Sequence, residues 1–153
     1  MSAEPFAERN GWKLFQHPAF QVQFDGLVDA VEELQRRSPD DYRAHPKAKL
    51  LARILKVIGE EVPSNPDAPQ YRLSDMLGVG RAHWRRAKFL QRFRLFFRFR
   101  SDVRIIVYVW MNDESTLRKA GSKSDVYEVF KKKLNSGNPP DDWDDLVQEF
   151  ETA

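Results

Sequence analysis

The chain contains no cysteine among its 153 residues. That excludes disulfide staples, thiol nucleophiles and zinc sites built on thiolates. Also missing is any apolar run near the roughly 20 residues that a membrane-crossing helix needs. The best candidate, Val103 to Met111, is short and meets a charge at Arg104. The stretch "MSAEPFAERNGW" has no basic segment followed by an apolar one, so no export signal is expected and the expected compartment is the cytoplasm. Histidine is sparse: His17 and His45 each precede a proline and read as turn residues, and a lone His83 at a strand start is expected to be structural. Repeats and low-complexity linkers are absent too, so a single domain over residues 1–153 is expected.

What is present is charge, unevenly placed. Hydrophobic residues make up 41% and charged residues 31%, a globular rather than a disordered balance. The net charge of +2 conceals a segregation. Arg81 to Arg104 holds nine Lys or Arg against one acid, Asp102, while "DDWDDLVQEFETA" holds six acids and no base. Such asymmetry points to an anionic partner more strongly than the total does.

Periodicity divides the chain into elements. Phe24, Leu27, Val28, Val31 and Leu34 recur at helical spacing, predicting a helix over about 20–37 that stops before Pro39. A second helix begins near Pro46, carries Leu50, Leu51, Ile54, Leu55, Ile58 and Val62, and ends at Pro63. From Arg86 to Arg100 the period changes to two. Ala87, Phe89, Phe93, Leu95, Phe97 and Phe99 share one face, and Arg86, Lys88, Arg92, Arg94, Arg98 and Arg100 the other. A three-residue turn at 90–92 keeps both faces consistent and pairs Lys88 with Arg94 across the strands; a two-residue turn would scramble them. "VRIIVYVWM" suits a central strand, "NDESTLRKAG" a short helix capped by Asn112 or Asp113, and "DVYEVFKKKL" another helix. Trp143, Leu146, Val147 and Phe150 form a last apolar stripe. The predicted fold is α+β: a small antiparallel sheet, two amino-terminal helices on its Phe-rich face, carboxy-terminal helices, and an Arg-rich face toward solvent.

Six cations on one strand face are costly. Two like charges about 5.5 Å apart repel by roughly 3 kcal/mol at an effective dielectric near 20. One or two cations would read as a solvated face; six need an anion. A membrane surface fits poorly, because no apolar residues share that face. Nucleic acid fits better, since guanidinium forks match phosphate.

The segments "NGWKLFQHPAF", "WRRAKF", "RFRLFFRF", "VWMNDESTLR" and "KSDVYEVFKKKLNSGNPPDDW", in this order and spacing, resemble the YhaV-type toxins, a branch of the RelE-like toxin superfamily. The resemblance implies a RelE-like fold and a metal-independent mRNA endoribonuclease acting with the ribosome. It also implies neutralisation by an AbrB-like (PrlF-type) antitoxin, with DNA bound only through the antitoxin complex. Such cleavage uses the substrate's own 2′-hydroxyl and needs a base, cations for the developing charge, and an acid for the leaving oxygen. Arg cannot be the base, being always protonated. By position, the resemblance implies a site at Lys88, Arg94 and Tyr127: Lys88 is expected as base or charge clamp, Arg94 on the scissile phosphate together with Arg118, and Tyr127 orienting the nucleophile or stacking a base, while Arg118 equally suits a last-turn cation stabilising its helix end. Arg81, Arg86, Arg92, Arg98 and Lys123 are the expected RNA contacts, and neither metal nor cofactor is expected. The sequence departs from the family with Phe93 where relatives often have Tyr and with a glycine-free "KFLQRF" turn.

Other features carry less. Asp113 and Glu114 could supply a base but equally cap a helix, "DDWDD" points its acids different ways round a helix, and "GVGR" is a lone Gly-x-Gly. A non-catalytic nucleic-acid-binding module, or a regulator acting with a partner, fits the basic face as well as the enzyme does.

Overall fold

The computed structural model describes residues 4–113, 119 and 121–151. Strands β1 (Ala7–Arg9) and β2 (Trp12–Gln16) precede helix α1 (Pro18–Arg37). Helix α2 (Pro46–Lys56) runs into a π-helical turn (Val57–Glu61) and a closing turn α3 (Val62–Ser64). Strands β3 (Arg85–Phe89), β4 (Phe93–Arg100) and β5 (Ile105–Met111) follow, then helices α4 (Val126–Asn135) and α5 (Trp143–Glu151).

The five strands form one sheet in the order β1-β2-β5-β4-β3. β3–β4, β4–β5 and β1–β2 are antiparallel, and β2 lies parallel to β5, which makes the sheet mixed rather than wholly antiparallel. Both helix starts in the amino-terminal half come from a His-Pro pair. His17 Nδ1 accepts from the Ala19 amide at 3.0 Å and His45 Nδ1 from the Lys47 amide at 3.1 Å, with proline in each first turn, where no amide proton is needed. The two histidines read from sequence as turn residues are therefore helix caps.

The expected α+β fold holds, with a second correction beside the mixed sheet. Ala87, Phe89, Leu95 and Phe97 do pack with Phe20, Ile54, Val57 and Ile58 of the amino-terminal helices. The opposite face, expected to be bare, is covered. Phe96, Val107, Val109 and Trp110 pack under Tyr127, Phe130 and Leu134 of α4 and Leu146 and Phe150 of α5. Phe96 is the reason. It is the one apolar residue among the even positions of β4, it is fully buried, and Phe130 stacks on it with centroids 4.2 Å apart. An aromatic ring in mid-sheet gains more from a covering helix than its flanking guanidiniums gain from water. Arg86, Arg94 and Arg98 are buried as a result.

Candidate active site

The hairpin turn sets the geometry. Lys88 lies opposite Arg94 and Phe89 opposite Phe93, so the loop is residues 90–92. With no glycine in it, Leu90 and Gln91 both take left-handed backbone angles (φ 45° and 68°). Asn112, just beyond β5, holds the loop's end. Its side chain accepts from the Arg94 amide at 2.8 Å and donates to the Arg92 carbonyl at 3.0 Å, a clamp on the hairpin turn. Residues 114–118 and 120, which include Arg118 and most of the short helix expected there, lie outside the described residues.

Tyr127 gathers the cations. Asp125 caps α4 by accepting from the Tyr127 amide at 3.1 Å, which fixes the first turn over the sheet. The Tyr127 phenol oxygen then accepts from Arg86 Nε at 2.7 Å and Arg94 Nε at 3.1 Å. Arg86 Nη1 also donates to the Arg72 carbonyl at 2.6 Å, and Arg94 Nη1 to the Gln91 and Phe93 carbonyls at 2.9 Å. Among the described residues, neither guanidinium has a carboxylate within ion-pair distance. Two buried guanidiniums thus share one phenol oxygen, an arrangement that favours an incoming anion. Only 3% of Tyr127 is exposed, so it orients guanidiniums from beneath and does not present a ring for stacking. Exposed Lys88 and buried Arg86 line a cleft of about 390 Å³ at the edge of β3, with Glu61, Pro69, Gln70, Tyr71 and Arg72.

The remaining expected contacts divide. Arg92, in the hairpin turn, and Lys123, before α4, are exposed. Arg81 is engaged, donating to the Leu77 carbonyl at 3.0 Å and Asn135 Oδ1 at 2.9 Å. Arg98 lies against the Trp84 and Trp143 rings, 5.3 and 5.4 Å from their centroids, and donates to the Asp141 carbonyl at 2.6 Å. Burial pulls its guanidinium down to about 10 against the pull of Asp141 and Asp142, which still leaves it charged at neutral pH. The structure brings Arg86, Lys88, Arg94 and Tyr127 together and builds Arg98 into the packing of α5 instead. His83 Nε2 lies 2.9 Å from Asp141 Oδ1, away from that group, as a structural histidine would. Among the described residues no three His, Asp or Glu side chains lie together as metal ligands would.

Comparison with known proteins adds the biological context. A family described as a toxin with endonuclease activity, of a toxin–antitoxin system, matches residues 14–151. Toxin YhaV of Escherichia coli O6:H1 is 46% identical over 146 residues, which cover 94% of this chain and 95% of that protein. Ribonuclease toxin YhaV of Escherichia coli K12 is 46% identical over 144 residues, covering 93% of this chain and 94% of that protein. No solved structure matches.

Proposed function

The chain belongs to the YhaV family, toxins with endonuclease activity that act in toxin–antitoxin systems, and from that premise we propose that it cuts RNA by transesterification through the substrate's 2′-hydroxyl. The observation that supports this most is the Tyr127 oxygen drawing Arg86 and Arg94 together beside Lys88. A phosphodiester in the cleft meets the Lys88 ammonium and the Arg86 guanidinium, with Arg94 held to the same phenol oxygen as Arg86. They oppose the charge that grows on the non-bridging oxygens as phosphorus becomes five-coordinate, and need no reorganisation to do so. The Tyr127 phenol oxygen accepts from both guanidiniums. Its role is to hold the two guanidiniums in register. Lys88, on the exposed side, is the group that reaches substrate, as a charge clamp or as the partner in proton transfer. Arg118 joins Arg94 on the phosphate in this reading, with Arg92 and Lys123 as outer contacts for the strand.

Family membership implies an antitoxin partner. In our reading the antitoxin is AbrB-like, the RNA is messenger RNA on the ribosome, and the compartment is the cytoplasm; no described helix is long and apolar enough to cross a membrane. The experiment is to incubate the purified protein with RNA, with and without ribosomes, and to map the ends. New 5′-hydroxyl and 2′,3′-cyclic phosphate ends are expected. Lys88→Ala and Arg94→Ala should each lower the rate about 100-fold or more while leaving circular dichroism unchanged. A fully active Arg94→Ala protein overturns the site.

A further inference from the structure

Among the described residues, one acid lines the cleft. Glu61 lines it together with Arg86 and Lys88, its side chain 36% exposed. The sequence places it there through a break in helical register. Pro63 has no amide proton to return to Gly59, and its ring would clash with that carbonyl, so α2 widens into the π-turn before it. The Val62 amide reaches back to the Val57 carbonyl, and the Ile58 carbonyl accepts instead from the Tyr108 hydroxyl at 2.8 Å, which pins the turn to the sheet. Glu61 closes that turn. Arg53 grips the carboxylate with both guanidinium nitrogens, Nη2 to Oε1 at 3.1 Å and Nη1 to Oε2. The Arg53 hydrogen bond, helped by the Arg53 and Lys56 charges and opposed by burial, holds the Glu61 carboxyl below its ordinary value. It is therefore ionised at neutral pH, and the Arg53 fork leaves lone pairs to spare for another donor.

We infer that Glu61 is the general base of the reaction, with Lys88 as its acid; the inference rests on the ribonuclease reading above. The carboxylate takes the 2′-hydroxyl proton as the 2′-oxygen bonds to phosphorus. The bond from phosphorus to the 5′-oxygen breaks, and that oxygen takes a proton from the Lys88 ammonium. The products are a 2′,3′-cyclic phosphate and a 5′-hydroxyl, and Glu61 returns its proton, and Lys88 regains one, by exchange with water. Arg86 and Arg94 carry the charge of the intermediate and exchange no proton, as guanidinium chemistry requires. Arg53 is a positioning residue.

The test uses the full chain and an RNA oligonucleotide carrying a single known cleavage position. Glu61→Gln should cut about 10²–10⁴-fold more slowly, while binding of the same oligonucleotide with a 2′-deoxy sugar at that position stays within about threefold. Glu61→His should move the acidic limb of the rate–pH profile up toward about 6.5. Arg53→Met should raise the same limb by removing the partner that holds the carboxylate ionised; a structural role would move neither limb. Because the three replacements differ, any one that folds decides the matter. Cleavage by Glu61→Gln at near the wild-type rate, or an unmoved limb in a folded Glu61→His or Arg53→Met protein, overturns the assignment and leaves the ribonuclease reading intact. A wild-type protein that cuts no RNA, with or without ribosomes, overturns both.

Discussion

Asp141 is the carboxylate that closes the acidic end of the chain over the sheet. Its Oδ1 accepts from Trp84 Nε1 at 2.7 Å and lies 2.9 Å from His83 Nε2, while its backbone carbonyl accepts from Arg98. Burial works to raise its pKa, but the Trp84 and His83 hydrogen bonds and the His83 and Arg98 charges outweigh that and hold it below the ordinary carboxylate value. A depressed folded value means the stabilisation is complete above the ordinary carboxylate range and is lost as pH falls through the folded value. Urea melts between pH 2.5 and 7 (roughly the span of carboxylate titration) should therefore show stability falling at the acid end. Asp141→Asn should be weaker near neutrality by about 1 kcal/mol, modest because the side chain is 38% exposed, and flatter at low pH. An unchanged acid slope in that variant would contradict the account. At this scale the sequence was only partly legible. Lys88 facing Arg94 followed from parity alone, whereas Tyr127 needed the family resemblance, because a tyrosine beside Val126 and Phe130 reads as ordinary core edge. Glu61 was hidden: next to Glu60 at the end of an amphipathic helix it looks like a solvated face, and only the π-turn before Pro63 brings it to the cleft.

Elements were most readable where period and burial agreed. The helix stripes and the two strands around 90–92 are where alternation put them, because a one-residue slip would have moved Phe89, Phe93, Phe97 and Phe99 off the face that packs on the amino-terminal helices. β1 and β2 went unread although Asn10-Gly11 is a tight-hairpin signal, with both residues at positive φ (51° and 80°) and Trp12 and Leu14 alternating with Lys13 after it. Three-residue β1 is too short to show a period. The turn at 90–92 shows the opposite case, a loop forced by register against local preference. Left-handed geometry at a residue with a side chain costs about 1–2 kcal/mol, and glycine recovers part of it after its larger unfolded-state entropy is counted. Gln91→Gly should stabilise the protein by about 0.5–1 kcal/mol and raise Tm by about 2 °C in a thermal melt. A lowered Tm would mean that the Gln91 side chain, and not only its carbonyl that accepts from Arg94, supports the loop.

Across the whole molecule, the basic segment is divided by what covers it. Alternation sorted the cations onto one face but could not show that Phe96 would call α4 down upon them, since the partner ring, Phe130, is 34 residues away in the chain. The cover leaves Arg98 stacked between two indoles and Arg86 and Arg94 grouped with exposed Lys88 at the hairpin end, and in the proposed reading it is this second set that receives phosphate. That division is measurable through salt. A protein neutralising about three phosphates of a single strand should lose affinity with a log–log slope near −2, since each contact contributes about −0.7. Binding of a 2′-deoxy oligonucleotide between about 50 and 200 mM salt should give that slope. Lys88→Ala should make it shallower by about one contact, whereas Arg98→Met should leave it unchanged even if it alters stability, because the indoles already hold that cation away from solvent. Equal slope changes for the two variants would mean that RNA reaches under α5, and that the grouping around Tyr127 is not what receives the phosphate.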